Sequence, residues 1–399
     1  MKILAVLTCD PFSGEYGGTY AVRGTLAALA KVGDLYVTGY GPNFGHRTIG
    51  TYNSCGSLGE PANSPLSFLA SLCSRKSYSL GKYSSHESQF RFRKIVDTHK
   101  FDVIWYEHTH AAAVGYFSGI MSHRPRQETH VVRMHNLEWQ VVKDRPGALA
   151  KLGKVLLSLE ANYLHKYEIE IARAADHVLT ISEEDRDTLS ADCPALINKT
   201  TFLPASVQIQ SSKAPARERS ARVLFVGNCS WGPNLQSAKW VIDHLAPQLQ
   251  HYLPGLTVRI VGERTESLRA RARTPNIHCA GFVQDIASEY RSALCTVAPV
   301  WAGGGVNIKV LDSLGNGVPV IGTKFARRGV NSEAFLIAET PTQFVERIHS
   351  LLLDSSLAEK LSSLAVSSMV ELNRHAEIVL NTVLNTSQSC HDLDACFAS

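Results

Sequence analysis

The sequence contains no apolar run of the roughly 20 residues that a membrane-spanning helix needs. Its 399 residues include 40 basic and 36 acidic side chains, so the formal net charge is only +4. That charge is too small to indicate a nucleic-acid partner, and no basic stripe with interleaved aromatic residues is present. With 44% hydrophobic and 19% charged residues, the composition is that of a soluble folded protein with, at most, a mild preference for anionic ligands.

Paired cysteine spacing is also lacking. The nine cysteines are scattered, and their odd number argues against a disulfide framework and for a reducing compartment. Cys390, His391 and Cys396 have no second pair at metal-ligand spacing, so we expect no metal site and a frayed C-terminus. The apolar stretch Met1–Thr8 is too short for a signal sequence and predicts a buried strand. We predict a cytoplasmic protein and leave open peripheral association with the inner face of a membrane.

Short apolar runs alternate with amphipathic stretches, which is the pattern of βαβ units and parallel sheets. A Gly-rich turn at 13–18 precedes a helix over roughly Tyr20–Val32, a long irregular connection spans 41–65, and a long helix covers about Leu149–Ala174. The predicted strands are Lys2–Leu7, Leu35–Thr38, Val103–Tyr106, Val131–Met134, His177–Ile181, Arg222–Val226, Thr257–Val261, Ile277–Cys279, Leu294–Pro299 and Val318–Ile321.

This pattern predicts an α/β fold of two doubly wound, Rossmann-like domains that face a central cleft. The N-terminal domain covers 1–207, a linker rich in Ser, Lys, Ala, Pro and Arg covers 208–222, and the second domain covers 223–375. A C-terminal helix and flexible tail follow at 376–399. In such folds ligands bind at the carboxyl ends of the strands.

Residues 299–323 form the most informative segment: a strand, a triple glycine, a short helix, a Gly-Val-Pro turn and another strand. Gly303–Gly305 let the backbone approach a ligand closely, and the start of the next helix offers N–H groups to an anion. Lys309 and Asp312 share one face of that helix because they are three residues apart. These groups suit a phosphorylated sugar or nucleotide. The alternative is a structural turn with a solvated Lys–Asp pair.

Four segments of the second half, taken in order, resemble family 4 of the glycosyltransferases, which have the two-domain GT-B fold. The segments are Leu224–Gly227 with Pro233-Asn234, Val258–Gly262, Gly281–Asp285, and Lys309 to Val320. In the first half Asp102-Val103, Arg133–Glu138 and Ala175–Glu183 are similar to family members. The resemblance implies an acceptor-side N-terminal domain and a donor-binding C-terminal domain. It also implies a retaining, metal-independent transfer that uses a nucleotide-diphosphate sugar as co-substrate and needs no cofactor.

The resemblance further implies which residues bind the donor, with Lys309 at the diphosphate and Asp312 at the ribose. The expected donor-binding residues are Gly17, Gly18, Gly227, Asn228, Phe282, Val283, Gly303, Gly304, Gly305, Asn307, Lys309 and Asp312. The sequence departs from the family where a glutamate near the donor sugar would fall on Gly304. The basic residues that many members place after Gly227 are also replaced, by Asn228-Cys229-Ser230-Trp231.

Titratable residues follow two neighbouring predicted strands of the first half. Glu107 and His108 follow the strand Val103–Tyr106, and His135 follows the next strand. We expect these three residues to be catalytic, by accepting the acceptor hydroxyl's proton or by bonding the donor sugar. The alternative for each histidine is a structural bond at the end of a strand.

The predicted partners are a UDP- or GDP-sugar and a hydroxyl acceptor, which is a glycan, a lipid-linked glycan or a natural product. The basic group Arg91, Arg93 and Lys94, with the helix from Leu149, could approach a membrane that carries a lipid-linked acceptor. Two other functions stay open. One is a nucleotide-sugar epimerase of the same fold, and the other is a degenerate partner subunit that binds a nucleotide sugar without turning it over.

Overall fold

The computed structural model describes residues 1–12, 17–45, 52–122, 127–143, 151–209 and 221–397. The chain divides into two compact units: unit 1 is Met1–Ala205 with His375–Ser399, and unit 2 is Ser206–Arg374. Most of the predicted linker lies in 210–220 and most of the predicted Gly-rich turn in 13–16, so both fall outside the described residues. No helix in the described ranges combines the length and the apolarity needed to cross a bilayer.

Unit 1 is built on a seven-stranded parallel sheet in the order β3-β2-β1-β4-β5-β6-β7. The strands are β1 (Lys2–Leu7), β2 (Asp34–Gly39), β3 (Tyr52–Ser57), β4 (Val103–Glu107), β5 (Thr129–Met134), β6 (His177–Thr180) and β7 (Thr200–Phe202). Side chains of β1 alternate between two apolar cores: Leu4 and Val6 join one, and Ile3, Ala5 and Leu7 join the other. A parallel sheet covered on both faces needs this near-continuous apolarity.

Unit 1 has eight α-helices in the described part of 1–205. They are α1 (Gly17–Val32), α2 (Pro65–Cys73), α3 (Tyr78–Gly81), α4 (His86–His99), α5 (Thr109–Phe117), α6 (Glu138–Lys143), α7 (Lys151–Ala174) and α8 (Glu183–Asp192). The helix α1 begins three residues earlier than predicted. Gly17 and Gly18 therefore belong to its first turn and not to the loop before it.

The predicted irregular connection 41–65 is wrong at its centre, because β3 lies there as an edge strand. Its sequence, Tyr-Asn-Ser-Cys-Gly-Ser, has no apolar alternation and stays half exposed. Its order comes from the parallel ladder with β2 and from Thr38, whose hydroxyl donates to the carbonyl of Gly56 at 2.7 Å. An edge strand held by main-chain bonds carries little hydrophobic signal in its sequence.

Unit 2 has a six-stranded parallel sheet in the order β10-β9-β8-β11-β12-β13. The strands are β8 (Arg222–Val226), β9 (Thr257–Val261), β10 (Ile277–Gly281), β11 (Cys295–Ala298), β12 (Val320–Gly322) and β13 (Phe335–Ile337). The remaining helices are α9 (Gly232–Trp240), α10 (Ala246–Tyr252), α11 (Ile286–Arg291), α12 (Ile308–Gly315), α13 (Pro341–Leu353) and α14 (Ser355–Phe397).

Two helical features of unit 2 have local causes. A π-helical turn, Val241–Leu245, joins α9 to α10, because Pro247 has no N–H to bond the carbonyl four residues before it. The helix α13 begins with a capping box in which Thr340 and Gln343 satisfy each other's backbone N–H. The long helix α14 belongs to unit 2 as far as Arg374 and to unit 1 from His375 onward.

Candidate active site

The glycine-rich loop of unit 2 follows β11 and requires glycine at two of its three positions. Gly303 has a φ of 138° and Gly305 a φ of 61°, conformations that side-chain-bearing residues rarely adopt. A methyl group at Gly303 would also lie 3.2 Å from the indole of Trp231. Gly304 lies between them, so the three residues present main-chain groups at the carboxyl end of a parallel strand.

Lys309 lies in the first turn of α12 and has no ion pair with any residue that the structure describes. Its Nζ donates to Oδ1 of Asn234 at 2.6 Å and lies 4.9 Å from the ring centre of Phe225. Among the described residues, no carboxylate lies within ion-pair distance of it. Burial lowers the pKa of Lys309 to about 8. A partly buried ammonium without a countercharge is costly, and a bound anion would remove that cost.

Asp312, one turn further along α12, is a carboxylate to which no described residue donates a hydrogen bond. Within the described ranges no N–H, hydroxyl or cation bonds its carboxyl group, and burial raises its pKa to about 7. The helix therefore carries a cation and a carboxylate that do not compensate each other. Perturbed groups of this kind gather where ligands bind more often than elsewhere.

The turn after β8 is braced against Lys309. Asn234 accepts from Lys309 and donates to the carbonyl of Asn228 at 3.1 Å. Both polar atoms of the Asn228 side chain form local bonds: Nδ2 donates to Glu263 at 2.5 Å, and Oδ1 accepts from the N–H of Ser230 at 2.8 Å. Gly227, before it, donates its N–H to the carbonyl of Val261 at 2.9 Å. The predicted contact of Asn228 with the donor would therefore have to involve its main chain.

Three other residues predicted to bind the sugar donor differ in how accessible their side chains are. Phe282 follows β10 and is 60% exposed, so its ring is accessible to a ligand. Val283 instead packs against the apolar cluster around Leu224. Asn307 precedes α12 without a side-chain capping bond and donates Nδ2 to the carbonyl of Ala326 at 3.3 Å. Phe282 thus keeps a free surface, whereas Val283 and Asn307 have structural contacts.

In unit 1, Glu107 at the end of β4 is fully buried and enclosed by donors. Its Oε1 accepts from Nε1 of Trp105 at 3.0 Å and pairs with Arg133 at 3.5 Å, and its Oε2 lies 2.5 Å from Nε2 of His135. Burial opposes ionisation, but Arg133 and His135 overcome it and lower the pKa of Glu107 to about 2. A direct catalytic role for Glu107 stays a prediction, and the structure shows a buried carboxylate that orients His135.

His108 and His135 are brought together as expected from their strands. Their ring centres lie 3.8 Å apart, His135 is 6% exposed, and His108 has a φ of 76°. Burial and the nearby His135 hold the pKa of His108 well below 6.5. Because ionised Glu107 can only accept, His135 donates from Nε2, and in its neutral form Nδ1 is left as the acceptor.

Comparison with known protein families gives two adjacent matches. Residues 73–207 match the family model described as Glycosyltransferase Family 4, and residues 220–354 match the one described as Glycosyl transferases group 1. Together they cover more than half of the chain. The chain belongs to the family 4 glycosyltransferases. Glycosyl transfer is therefore its general class of activity.

Solved structures show that this glycosyltransferase has the GT-B fold. Sucrose-phosphate synthase from Thermosynechococcus elongatus matches with a TM-score of 0.68 at 15% identity, over 98% of this chain and 100% of the other. HepE of Anabaena, solved in complex with UDP-glucose, matches with a TM-score of 0.62 at 14% identity, over 96% and 100%. The predicted α/β fold class is confirmed.

A sequence relative of the glycosyltransferase comes from Klebsiella pneumoniae. It is described as an uncharacterized 44.6 kDa protein in the cps region and is 22% identical over 382 residues. The match covers 87% of this chain and 90% of the relative. The two proteins are therefore similar over nearly their whole lengths.

Sequence reasoning missed several residues of the glycosyltransferase that support the candidate ones. Arg133 is buried, pairs with Glu107, and also bonds the hydroxyl of Thr25 and the carbonyl of Pro204. Asn234 was noted only as part of a similar segment, although it is the direct partner of Lys309. In a sequence, a buried arginine or asparagine is only a polar residue next to an apolar run, so its partner cannot be predicted. In the part of the chain that the structure describes, no group of His, Cys, Asp or Glu gathers as metal ligands do.

Proposed function

We propose that this protein transfers a sugar from a nucleotide-diphosphate sugar to a hydroxyl acceptor, with retention of the anomeric configuration and without a metal ion. The observation that carries the proposal is the uncompensated pair on α12, Lys309 and Asp312, beside a glycine loop at the ends of parallel strands. Family membership supports the transfer itself. That several similar structures hold UDP or UDP-glucose supports the donor class.

In this mechanism Lys309 binds the diphosphate. Negative charge grows on the leaving diphosphate as the bond to the sugar breaks, and a fixed ammonium stabilises that charge. The amide groups of the glycine loop and the start of α12 add further donors of partial positive charge. Asp312 accepts hydrogen bonds from the ribose hydroxyls, which gives a carboxylate without donors the partners it lacks.

The proposed proton acceptor or sugar ligand is one of two histidines of unit 1, His108 and His135. Glu107 fixes His135 with Nδ1 as an acceptor, and a neutral imidazole nitrogen can accept the proton that the acceptor hydroxyl loses. His108 contacts His135 and stays neutral near pH 7 because its pKa lies well below 6.5. We assign proton acceptance or sugar binding to this pair without choosing between the two rings.

Donor screening by thermal unfolding is the first test. A ligand that binds only the folded protein stabilises it by about 2.7 kcal/mol at a hundredfold excess over its Kd. We expect UDP or GDP to raise the melting temperature of the wild-type protein, and the matching nucleotide sugar to raise it further. Failure of UDP, GDP and ADP and of all their sugars to shift the melting temperature would reject the proposal.

The product then separates the three functions. With the stabilising nucleotide sugar and a panel of hydroxyl acceptors, we expect a glycoside whose anomeric configuration, read by NMR, matches that of the donor. A new sugar epimer formed without an acceptor would identify an epimerase. Binding without turnover across the panel would identify a degenerate partner subunit, the alternative to which the missing side chain at Gly304 gives some weight.

A further inference from the structure

Glu168, in the third quarter of α7, is a buried carboxylate that bonds two other helices. It is 1% exposed. Its Oε1 accepts from the N–H of Glu138 at 3.1 Å and from the hydroxyl of Thr109 at 3.2 Å, and its Oε2 accepts from the N–H of Trp139 at 3.0 Å. Thr109 begins α5, and Glu138 and Trp139 begin α6. One side chain therefore caps α6 and anchors the start of α5.

The starts of these two helices lie close in sequence to the two candidate histidines, His108 and His135. His108 precedes Thr109, and His135 lies three residues before Glu138. The left-handed backbone of His108, with a φ of 76°, is unfavourable for histidine and persists only where its surroundings hold it. The bond from Thr109 to Glu168 acts on the next residue along the chain, so it is part of those surroundings.

We propose that Glu168 is a positioning residue for sugar transfer: by holding the starts of α5 and α6 together, it keeps His108 in contact with His135. The inference rests on the proposed function, because it assigns a task to the same histidines. Keeping this carboxylate has a cost, since burial and the carboxylate of Glu138 raise the pKa of Glu168 to about 8. Glu168 cannot touch a substrate from its buried place, so its effect must pass through the histidine segments.

The same helix provides a matched control. Glu160 lies eight residues before Glu168 on α7 and is 4% exposed. Its carboxylate also accepts three bonds at the start of a helix, from the hydroxyl of Ser77 at 2.8 Å and from the N–H groups of Tyr78 and Ser79 at 3.0 and 2.9 Å. That helix, α3, carries none of the candidate site residues. Glu160 therefore makes the same kind of contacts without the proposed task.

Kinetics of paired variants form the first experiment. We expect Glu168→Ala and Glu160→Ala to lower the melting temperature by similar amounts. Only Glu168→Ala should lower kcat, by about ten- to a hundredfold, since small displacements of reacting groups have effects of this size. The KM for the donor and the affinity for the nucleotide should not change, and Glu168→Gln, which keeps one acceptor oxygen, should recover part of the loss. If the Glu168 and Glu160 variants lose kcat equally, Glu168 only caps a helix and the proposed positioning role is wrong.

NMR titration of the histidine rings gives a readout that does not depend on turnover. The pKa of His108, which burial and His135 hold well below 6.5, should rise toward 6.5 in Glu168→Ala and stay unchanged in Glu160→Ala. If the wild-type protein transfers no sugar, the proposed function fails, and this titration still tests the positioning. An unchanged His108 signal in the Glu168 variants would overturn the inference even in an active enzyme.

A fourth variant keeps the proposal testable if Glu168→Ala does not fold. Thr109→Val removes one donor to Glu168, keeps the shape of the side chain and leaves the cap of α6 intact. We expect a smaller fall in kcat than in Glu168→Ala and a shift of the His108 titration in the same direction. If Glu168→Ala does not fold, wild-type kcat and titration in both Glu168→Gln and Thr109→Val would overturn the inference.

Discussion

The charged candidate residues of unit 1 satisfy one another, whereas those of unit 2 lack opposite charges in the part of the chain that the structure describes. Glu107 is enclosed by Arg133 and His135, while Lys309 has only a neutral amide and an aromatic ring, and Asp312 has no donor. A group that handles a proton needs a fixed orientation before substrate binds. A group that binds a charged ligand leaves its charge unpaired until the ligand arrives. The contrast supports our proposal that unit 1 handles the proton and that unit 2 binds the charged ligand.

The largest expected effect comes from unit 1. We expect His135→Ala to lower kcat by about 100- to 10,000-fold, the usual contribution of a positioned acid or base, and to leave nucleotide affinity unchanged. Initial rates together with calorimetry of nucleotide binding measure the two quantities separately.

His165, a partly exposed histidine of α7 that contacts Trp139 and Asp192, is the control for this change, and His165→Ala should stay close to wild type in kcat. A double variant of His108 and His135 with wild-type turnover would remove both residues from the mechanism. If His135→Ala lowers nucleotide affinity as much as it lowers kcat, the proposed division of roles between the two units is contradicted.

A smaller effect, on binding, is expected from unit 2. Lys309→Ala and Asp312→Ala should each weaken binding of the nucleoside diphosphate by about 1–3 kcal/mol, because each removes a charge-assisted contact. This corresponds to about a 5- to 150-fold rise in Kd, measured by titration calorimetry. Lys360→Ala, at an exposed position of α14, should bind as the wild type does. Unchanged affinity in both α12 variants would contradict the assignment.

The last predicted effect concerns the dependence of stability on pH. Burial raises the pKa of Asp312 to about 7, above its value of roughly 4 in an unfolded chain. The folded state therefore binds more protons than the unfolded state between these values, and stability falls as the pH rises through this window. In Asp312→Asn, we expect a smaller decline of the unfolding free energy between about pH 4 and pH 7, measured by urea unfolding.

Asp312→Asn should also weaken nucleotide binding. We therefore expect a variant that is at least as stable as the wild type at neutral pH but has a higher Kd for the nucleotide. Glu359→Gln, at an exposed position of α14, serves as the control and should keep the wild-type dependence on pH. If the unfolding free energy of Asp312→Asn falls with pH as steeply as that of the wild type, burial of Asp312 does not destabilise the ligand-free protein.

The sequence predicted the central strands of both sheets because they are buried on both faces and read as apolar runs. It missed β3, β7 and β13, which are short or half exposed and owe their order to the strand beside them. It also placed Gly17 and Gly18 before α1. Glycine favours turns in isolation, and here both glycines belong to the first turn of α1.

Within the candidate site, spacing along α12 was enough to place Lys309 and Asp312 on one helix. It could not show that neither has a countercharge among the described residues, since that depends on residues such as Asn234, 75 positions away. The burial of Glu107 and the bonds of Glu168 were also beyond prediction. They arise from contacts with Arg133 and with the starts of α5 and α6, which come together only in the folded unit.

The helix α14 has a consequence for how the protein is made. Its residues Ala376, Val379, Leu380, Val383 and Leu384 pack in the same core of unit 1 as Ile3 and Leu35. A ribosome translates these residues after the whole of unit 2, so the first unit to be synthesised is the last to be completed. An N-terminal fragment that stops at Ala205 would expose the apolar surface that this segment covers, and it would need the missing helix, supplied in trans, to become soluble.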